Sequence, residues 1–94
     1  MGTNGPIRRT VIVANPLGLH MRPATVFAQA ARAYRSAVTV WNGDKRADGK
    51  SSLDLILLIA MPGIELVLEI DGDDAMAAVE PLSQLLADPG NGTV

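Results

Sequence analysis

The chain has 94 residues, a formal net charge of −2, one histidine and no cysteine. This length suits one small domain with a modest core. The lack of cysteine excludes disulfides, thiol nucleophiles and cysteine-based zinc sites, and a single histidine argues against a histidine metal site. Because the charge is slightly negative and no basic stretch is interleaved with aromatic residues, we expect no nucleic-acid binding.

The sequence carries no signal for secretion or membrane insertion. Its longest apolar run, residues 55–61, is far too short to span a bilayer. The first six residues are polar and lack the apolar run of a signal peptide. We therefore expect a cytoplasmic protein with one domain over residues 1–94. Its core should span about residues 7–87, with loose ends at 1–6 and 88–94.

The first third of the chain predicts a strand, a turn and a helix. β-Branched residues favour a strand over Ile7–Ala14, and Asn15–Gly18 forms the turn. A helix follows from about Met21 to Tyr34, with Pro23 in its first turn, where a missing N–H is harmless. An apolar stripe at helical spacing predicts core packing for Ala24, Phe27, Ala28, Ala31 and Tyr34.

A hairpin comes next. The strand Ala37–Trp41, a turn at Asn42-Gly43 and the returning strand Lys45–Asp48 form this unit. The charges of the returning strand suit the edge of a sheet. For Trp41, cross-strand packing is favoured over a role as a contact site.

The remaining chain predicts helix, strand and helix. Ser51 to Asp54 fits a capping box that begins a short helix, Leu53 to about Ala60. Strict alternation predicts a strand over Ile64–Ile70. The last helix has an apolar stripe of Met76, Val79, Leu82, Leu85 and Leu86. Pro81 falls inside this helix and predicts a kink or a late start.

The predicted element order is therefore β-α-β-β-α-β-α. Because the middle strands form a hairpin, the sheet cannot be wholly parallel. Helices covering one face of an antiparallel sheet, an α+β layer, are the economical arrangement. Ferredoxin-like domains share much of this order, so the order alone does not identify a family.

The chemistry of the chain is concentrated at the first strand-to-helix turn. His20 stands where the helix begins, and Arg22 follows it. A helix start offers unpaired N–H groups and the positive end of the helix dipole, which together favour an anion. An imidazole nitrogen can accept a phosphoryl group, and a guanidinium offers phosphate oxygens a planar fork. The pattern predicts phosphorylation of His20, with the phosphoryl group held by Arg22 and by the N–H groups of Met21 and Arg22.

Two other functions are compatible with these residues. One is a small enzyme in which His20 is a general acid or base, although the sequence shows no second catalytic group. The other is a non-catalytic interaction or ligand-sensing domain. Taken alone, a histidine near a helix start is usually a cap or a surface residue. A phosphorylation assay would separate these functions, because only a carrier would gain one acid-labile phosphate per chain.

Residues 18–23, Gly-Leu-His-x-Arg-Pro, resemble the active-site motif of the histidine-containing phosphocarrier proteins, HPr and its nitrogen-branch relatives. These are phosphoryl shuttles of the bacterial phosphoenolpyruvate-dependent phosphotransferase system. The resemblance covers about Thr10 to Leu86. It implies an open-faced β-sandwich, in which three helices cover one face of a four-stranded antiparallel sheet, and no metal or bound cofactor. It assigns the phosphoryl group to Nδ1 of His20, supported by Asn15, Gly18, Leu19 and Pro23.

The same resemblance implies the partners. A monomeric carrier would accept the phosphoryl group from Enzyme I and pass it to an EIIA-type domain, in sugar uptake or nitrogen-related regulation. It would be a carrier with a phosphohistidine intermediate rather than a stand-alone enzyme. Docking should use exposed side chains near the helix starts, rimmed by Arg22; the candidates are Pro16, Leu17, Met21, Lys50 and Leu53.

Ser51 has two interpretations. As the N-cap of the second predicted helix it would contribute about 1 kcal/mol of stability. In some members of the resembled family, the serine of a matching Lys-Ser pair is phosphorylated by a dedicated HPr kinase as a regulatory mark. The pair Lys50-Ser51 stands at the matching place. The family's usual apolar residue after this serine is Ser52 here.

Overall fold

Four antiparallel strands form one sheet in the computed structural model, which describes residues 5–89. Their order across the sheet is β1-β4-β2-β3. The strands are β1 Ile7–Ile12, β2 Ala37–Asn42, β3 Lys45–Asp48 and β4 Glu65–Asp71. The most regularly alternating stretch of the sequence therefore supplies β4, which is paired on both sides. The polar strand β3 lies at the edge, as predicted.

Three helices cover one face of this sheet. They are α1 Met21–Arg32, α2 Ser52–Leu57 and α3 Ala75–Ala87. In the strand register, Val11 lies opposite Leu66, and Val40 lies opposite both Leu68 and Ala47. All five side chains are buried on the face of the sheet that the helices cover. Phe27 of α1 belongs to the same core. The predicted order β-α-β-β-α-β-α and the open-faced α+β fold are confirmed.

The structure corrects the predicted stripe of α3. Met76 was expected in the core but is 79% exposed. The rest of the predicted stripe is confirmed, since Val79, Leu82 and Leu86 are buried and Leu85 packs against the core, while Ala75 and Ala78 take the place of Met76 in the first turn. A shift of one residue rotates a helical side chain by about 100°, which turns Met76 away from the sheet.

Pro81 neither delays nor interrupts α3. The helix begins at Ala75 and continues past Pro81 to Ala87, so the predicted late start is wrong. A helical proline deprives the carbonyl four residues earlier of its donor. That residue is Ala77, and both Ala77 and Pro81 lie on the exposed side of α3. Water can reach the carbonyl there, so a helical proline is tolerated.

The predicted capping box of α2 is only half formed. The Ser51 hydroxyl accepts a hydrogen bond from the Asp54 N–H at 3.2 Å. In a complete box the Asp54 carboxylate would accept from the Ser51 N–H. It accepts instead from the N–H of Asp48 at 3.2 Å, while the Ser51 N–H donates to the Asp48 carbonyl at 3.0 Å. The end of β3 therefore takes the place of the reciprocal bond.

Trp41 packs across the strands, as predicted. Its indole Nε1 donates to Glu69 Oε1 at 3.2 Å, and the Arg46 guanidinium lies 5.9 Å from the ring centroid. All three residues belong to the sheet face that the helices leave open, and they join β3, β2 and β4.

Asp74 fastens the start of α3 to the segment between α1 and β2. Its carboxylate accepts hydrogen bonds from the Ser36 hydroxyl and from the N–H groups of Arg35 at 2.8 Å and Ser36 at 2.9 Å. These bonds, with that of the Ser36 hydroxyl first, lower the pKa of Asp74 to about 2. Asp74 precedes α3 but makes no side-chain cap to it.

Within residues 5–89, no helix is long and apolar enough to cross a membrane. Residues 1–4 and 90–94, which belong to the ends predicted to be loose, lie outside the described residues.

Candidate functional site

The turn before α1 is built from local hydrogen bonds. The Asn15 side-chain oxygen accepts from the Leu17 N–H at 2.9 Å, and the Asn15 carbonyl accepts from the Gly18 N–H at 2.9 Å. Gly18 has φ +72°, in the left-handed region that favours glycine. A Cβ at this position would also collide with the carbonyl oxygen of Ala60. Gly18 therefore meets both a conformational and a steric requirement.

Leu19 holds the turn against the rest of the fold. Its side chain is 7% exposed and belongs to the core. Its N–H donates to the Ala60 carbonyl at 3.0 Å. The loop between α2 and β4 thus supports the turn directly. The backbone before His20 is therefore held by the bond from Leu19 to Ala60, and the backbone after it begins α1.

His20 is the N-cap residue of α1. Its backbone is extended, with φ −87° and ψ −172°, and its carbonyl accepts the first helical bond from Ala24 N–H at 3.0 Å. The imidazole makes no capping hydrogen bond. The alternative that this histidine serves as a side-chain cap therefore finds no support in the geometry. The half-buried ring remains available for chemistry.

The start of α1 supplies donors for an anion. The first N–H groups of a helix have no acceptor within the helix. Here they belong to Met21 and Arg22, because Pro23 has no N–H. The Arg22 side chain is exposed, and α1 carries no acidic residue in its first turn. These features favour an anion next to His20.

His20 and Arg22 line the same open cavity, of about 870 Å³. One wall is the turn with the start of α1, and the other wall is formed by Leu85, in the last turn of α3, and by Pro89 just after this helix. This second wall is not indicated by the sequence. No sequence signal could have placed it, because the position of the end of α3 depends on how the helices pack.

The predicted docking residues fall into two groups. Pro16, Leu17 and Met21 line the cavity, and Leu17 and Met21 are 74% and 61% exposed. Leu53, on α2, is 64% exposed but lies outside the cavity.

Lys50 is placed differently. Its ammonium donates to the Tyr34 carbonyl at 2.8 Å, and its own carbonyl accepts from Arg32 Nε at 3.0 Å. Lys50 therefore ties the end of α1 to the start of α2 and is only half-exposed. The next residue, Ser51, uses its hydroxyl as the cap of α2.

Comparison with known proteins agrees with this geometry. Residues 7–88 match the family described as "PTS HPr component phosphorylation site". Phosphocarrier protein HPr of Haemophilus influenzae is 41% identical over 76 residues, which cover 81% of this chain and 87% of that protein. The HPr of Neisseria meningitidis serogroup A is 36% identical over 80 residues, 85% of this chain and 90% of that protein.

A solved structure shows the same fold. The crystal structure of a phosphocarrier protein HPr from Bacillus anthracis superposes with a TM-score of 0.82 at 26% identity, and covers 88% of this chain and 99% of that chain. Fold, sequence and the turn at His20 thus agree, and the chain belongs to the HPr family of phosphocarrier proteins of the phosphotransferase system.

Proposed function

We propose that His20 accepts a phosphoryl group from the phosphohistidine of Enzyme I and passes it to an EIIA-type acceptor. The proposed place of action is the cytoplasm, and the working form is a monomer. One observation carries this proposal: the His20 imidazole is not used as a helix cap and shares an open cavity with Arg22 at the start of α1.

The transfer requires an in-line exchange of one N–P bond for another. A ring nitrogen of His20, Nδ1 by family resemblance, attacks phosphorus while the bond to the donor histidine breaks. Negative charge spreads over the three equatorial oxygens in the transition state. The N–H groups of Met21 and Arg22 and the Arg22 guanidinium can stabilise that charge. Donation to the acceptor is the same exchange in reverse, with His20 as the leaving group.

The site also favours a carrier over an enzyme of its own. Besides His20, the described residues that line the cavity include two with charged side chains, Arg22 and Asp88. A carrier needs a nucleophile, an anion site and an open surface to which two proteins can dock in turn. Such encounters should be weak and fast, because each partner must leave quickly.

Phosphorylation with phosphoenolpyruvate and Enzyme I tests the proposal. The wild type should gain one phosphate that survives base and is lost in acid, as expected of a phosphoramidate. His20→Ala should fold normally and gain none, because the half-exposed ring contributes little to the core. Acid-labile phosphate on the alanine variant, or none on the wild type with several Enzyme I sources, would show that the proposal is wrong.

A further inference from the structure

Three methionines are exposed in the described part of the chain. Met21, Met61 and Met76 are 61%, 58% and 79% exposed. The chain contains no cysteine, so no thiol competes with these thioethers for an oxidant. A thioether is soft and polarizable, and oxidation converts it into a polar, chiral sulfoxide. The exposed sulfur atoms are therefore the groups that a soluble oxidant such as hydrogen peroxide attacks.

Met21 differs from the other two methionines in its position. It is the first residue of α1, directly after His20, and it lines the cavity that His20 and Arg22 share. Neither Met61 nor Met76 lines this cavity. Met76 lies in the first turn of α3, whereas Leu85 of the cavity wall lies in the last turn of that helix. Oxidation of Met21 therefore changes the chemistry of the site itself.

The sulfur of Met21 is held along the surface of α1. The Thr25 hydroxyl donates a hydrogen bond to Met21 Sδ at 3.6 Å, one turn further along the helix. Residues four apart are neighbours on one face of a helix, and Thr25 also lines the cavity. The thioether thus lies along the cavity wall. An oxygen added to this sulfur enters the space that His20 and Arg22 border.

We propose that Met21 is a reversible oxidation site and that its sulfoxide slows phosphoryl transfer at His20. The effect on transfer rests on the proposed function. In the oxidation, a lone pair of the sulfur forms an S–O bond while the O–O bond of hydrogen peroxide breaks. The proton on the transferred oxygen passes to the departing hydroxide, which leaves as water. Sulfur loses two electrons, and the peroxide is reduced to water.

The sulfoxide oxygen competes with the phosphoryl group for the same donors. A thioether sulfur is a weak acceptor, whereas the oxygen of a polar S–O bond carries partial negative charge and accepts hydrogen bonds well. The donors assigned to the phosphoryl oxygens are the Arg22 guanidinium and the N–H groups of Met21 and Arg22. An acceptor that occupies one of them removes stabilisation of the charge that develops during transfer.

Peroxide treatment of four proteins tests this site. Wild type, Met21→Leu, Met61→Leu and Met76→Leu are treated with hydrogen peroxide, and mass spectrometry of their peptides locates the sulfoxides. Met61 is the stricter control, because its Cα would lie 3.4 Å from a Cβ at Gly18. After removal of the peroxide, the rate of phosphorylation by Enzyme I is compared with that of the same variant untreated. Methionine sulfoxide reductases A and B then reduce the two sulfoxide epimers.

Treatment should slow phosphorylation of wild type, Met61→Leu and Met76→Leu about two- to tenfold, the worth of one hydrogen bond, and the reductases should restore the rate. Met21→Leu should keep its own untreated rate. An unchanged rate in chains that carry the Met21 sulfoxide, an equal loss in Met21→Leu, or a loss that the reductases do not reverse would overturn the proposal. So would an intact Met21 in a sample whose Met76 is oxidised.

Arg22→Ala tests how the sulfoxide acts. Without the guanidinium, the sulfoxide oxygen has one donor fewer to occupy, so oxidation of Met21 should slow this variant by a smaller factor than wild type. An equal factor in both would overturn the competition for Arg22. Failure of untreated wild type to accept any phosphate would instead overturn the proposed function and the effect on transfer with it, whereas the sulfoxide at Met21 is measured by mass and does not depend on transfer.

Discussion

The N–H of Leu19 donates a 3.0 Å hydrogen bond to the carbonyl oxygen of Ala60, which joins the turn before His20 to the loop after α2. The two segments are far apart in the sequence, yet they are in direct contact, because Gly18 also packs against Ala60 and Met61. On one side of this bond lies the turn before His20, and on the other lies Ile59, which has a positive φ of +51°. The position of the imidazole therefore depends on a contact that neither segment makes alone.

Gly18→Ala tests the close packing between the turn before His20 and Ala60. Alanine would require a left-handed conformation at φ +72° and would place its Cβ against the Ala60 oxygen. We expect a loss of about 1–3 kcal/mol in the free energy of unfolding, measured by urea titration, and slower phosphoryl transfer. Gly43→Ala is the matched control, because Gly43 has φ +63° with nothing within 4 Å of its Cβ position. Equal losses in the two variants would show that the contact with Ala60 contributes nothing.

Arg22→Ala tests the charge at the start of α1. Arg22 is exposed, so the fold should remain intact. Loss of a charge-assisted hydrogen bond, about 1.5–3 kcal/mol, should slow both acceptance and donation roughly ten- to a hundred-fold in stopped-flow assays. The transfer rates of Arg22→Lys should lie between those of wild type and Arg22→Ala, because lysine keeps the charge but lacks the planar guanidinium. Arg46→Ala, at an exposed arginine on the sheet, should transfer normally. Unchanged rates in Arg22→Ala would exclude a role in transfer.

Asp74 predicts how stability depends on pH. Its pKa in the folded chain is about 2, below the ordinary value of 3.8. A carboxylate with a lowered pKa stabilises the fold above its unfolded pKa, and this contribution is lost as pH falls towards the folded pKa. Asp74→Asn should therefore be less stable than wild type at neutral pH, and the difference should shrink between about pH 4 and pH 2. Urea titrations across this range measure it. Asp73→Asn, a change at the exposed neighbour, should have the same pH dependence of stability as wild type. If the free energy of unfolding of Asp74→Asn changed with pH in parallel with that of wild type, the assignment to Asp74 would be wrong.

Ser51→Ala separates capping from regulation. The variant loses the hydrogen bond from Asp54 N–H and should be about 1 kcal/mol less stable, with transfer rates near those of wild type. Ser52→Ala is a suitable control, because Ser52 is not the cap residue. Incubation with cell extract and ATP tests whether a kinase phosphorylates Ser51. If the extract labels Ser51 and the labelled chain then resists phosphorylation at His20, the role of Ser51 is not purely structural.

Local interactions made the position of His20 at a helix start and the order of elements predictable from sequence. Asn15 and Gly18 form their turn through bonds between close neighbours, and the glycine conformation follows from its missing Cβ. His20 precedes a helix whose stripe repeats at a regular spacing. The strand β4 alternates over the range in which it pairs, Glu65–Asp71. Each of these signals is contained in a short window of sequence.

Sequence patterns misled where packing or distant partners decide the environment. Met76 fits an apolar stripe by spacing, but the docking of α3 on the sheet leaves it outside. The Asp54 carboxylate meets the N–H of Asp48 because the end of β3 lies beside the start of α2. Lys50 has the form of a surface cation, yet its ammonium meets the Tyr34 carbonyl.

The sequence by itself determined that the histidine proposed to accept a phosphoryl group stands at a helix start in an α+β domain. Only the tertiary structure decided what surrounds it: Ala60 against Gly18, Ile59 exposed beside the turn, and Leu85 and Pro89 across the cavity. These neighbours all lie far from His20 in the sequence. Their positions follow from the strand order β1-β4-β2-β3 and from the burial of the α3 stripe. Both result from many weak apolar contacts acting together, and no short window of sequence contains that sum.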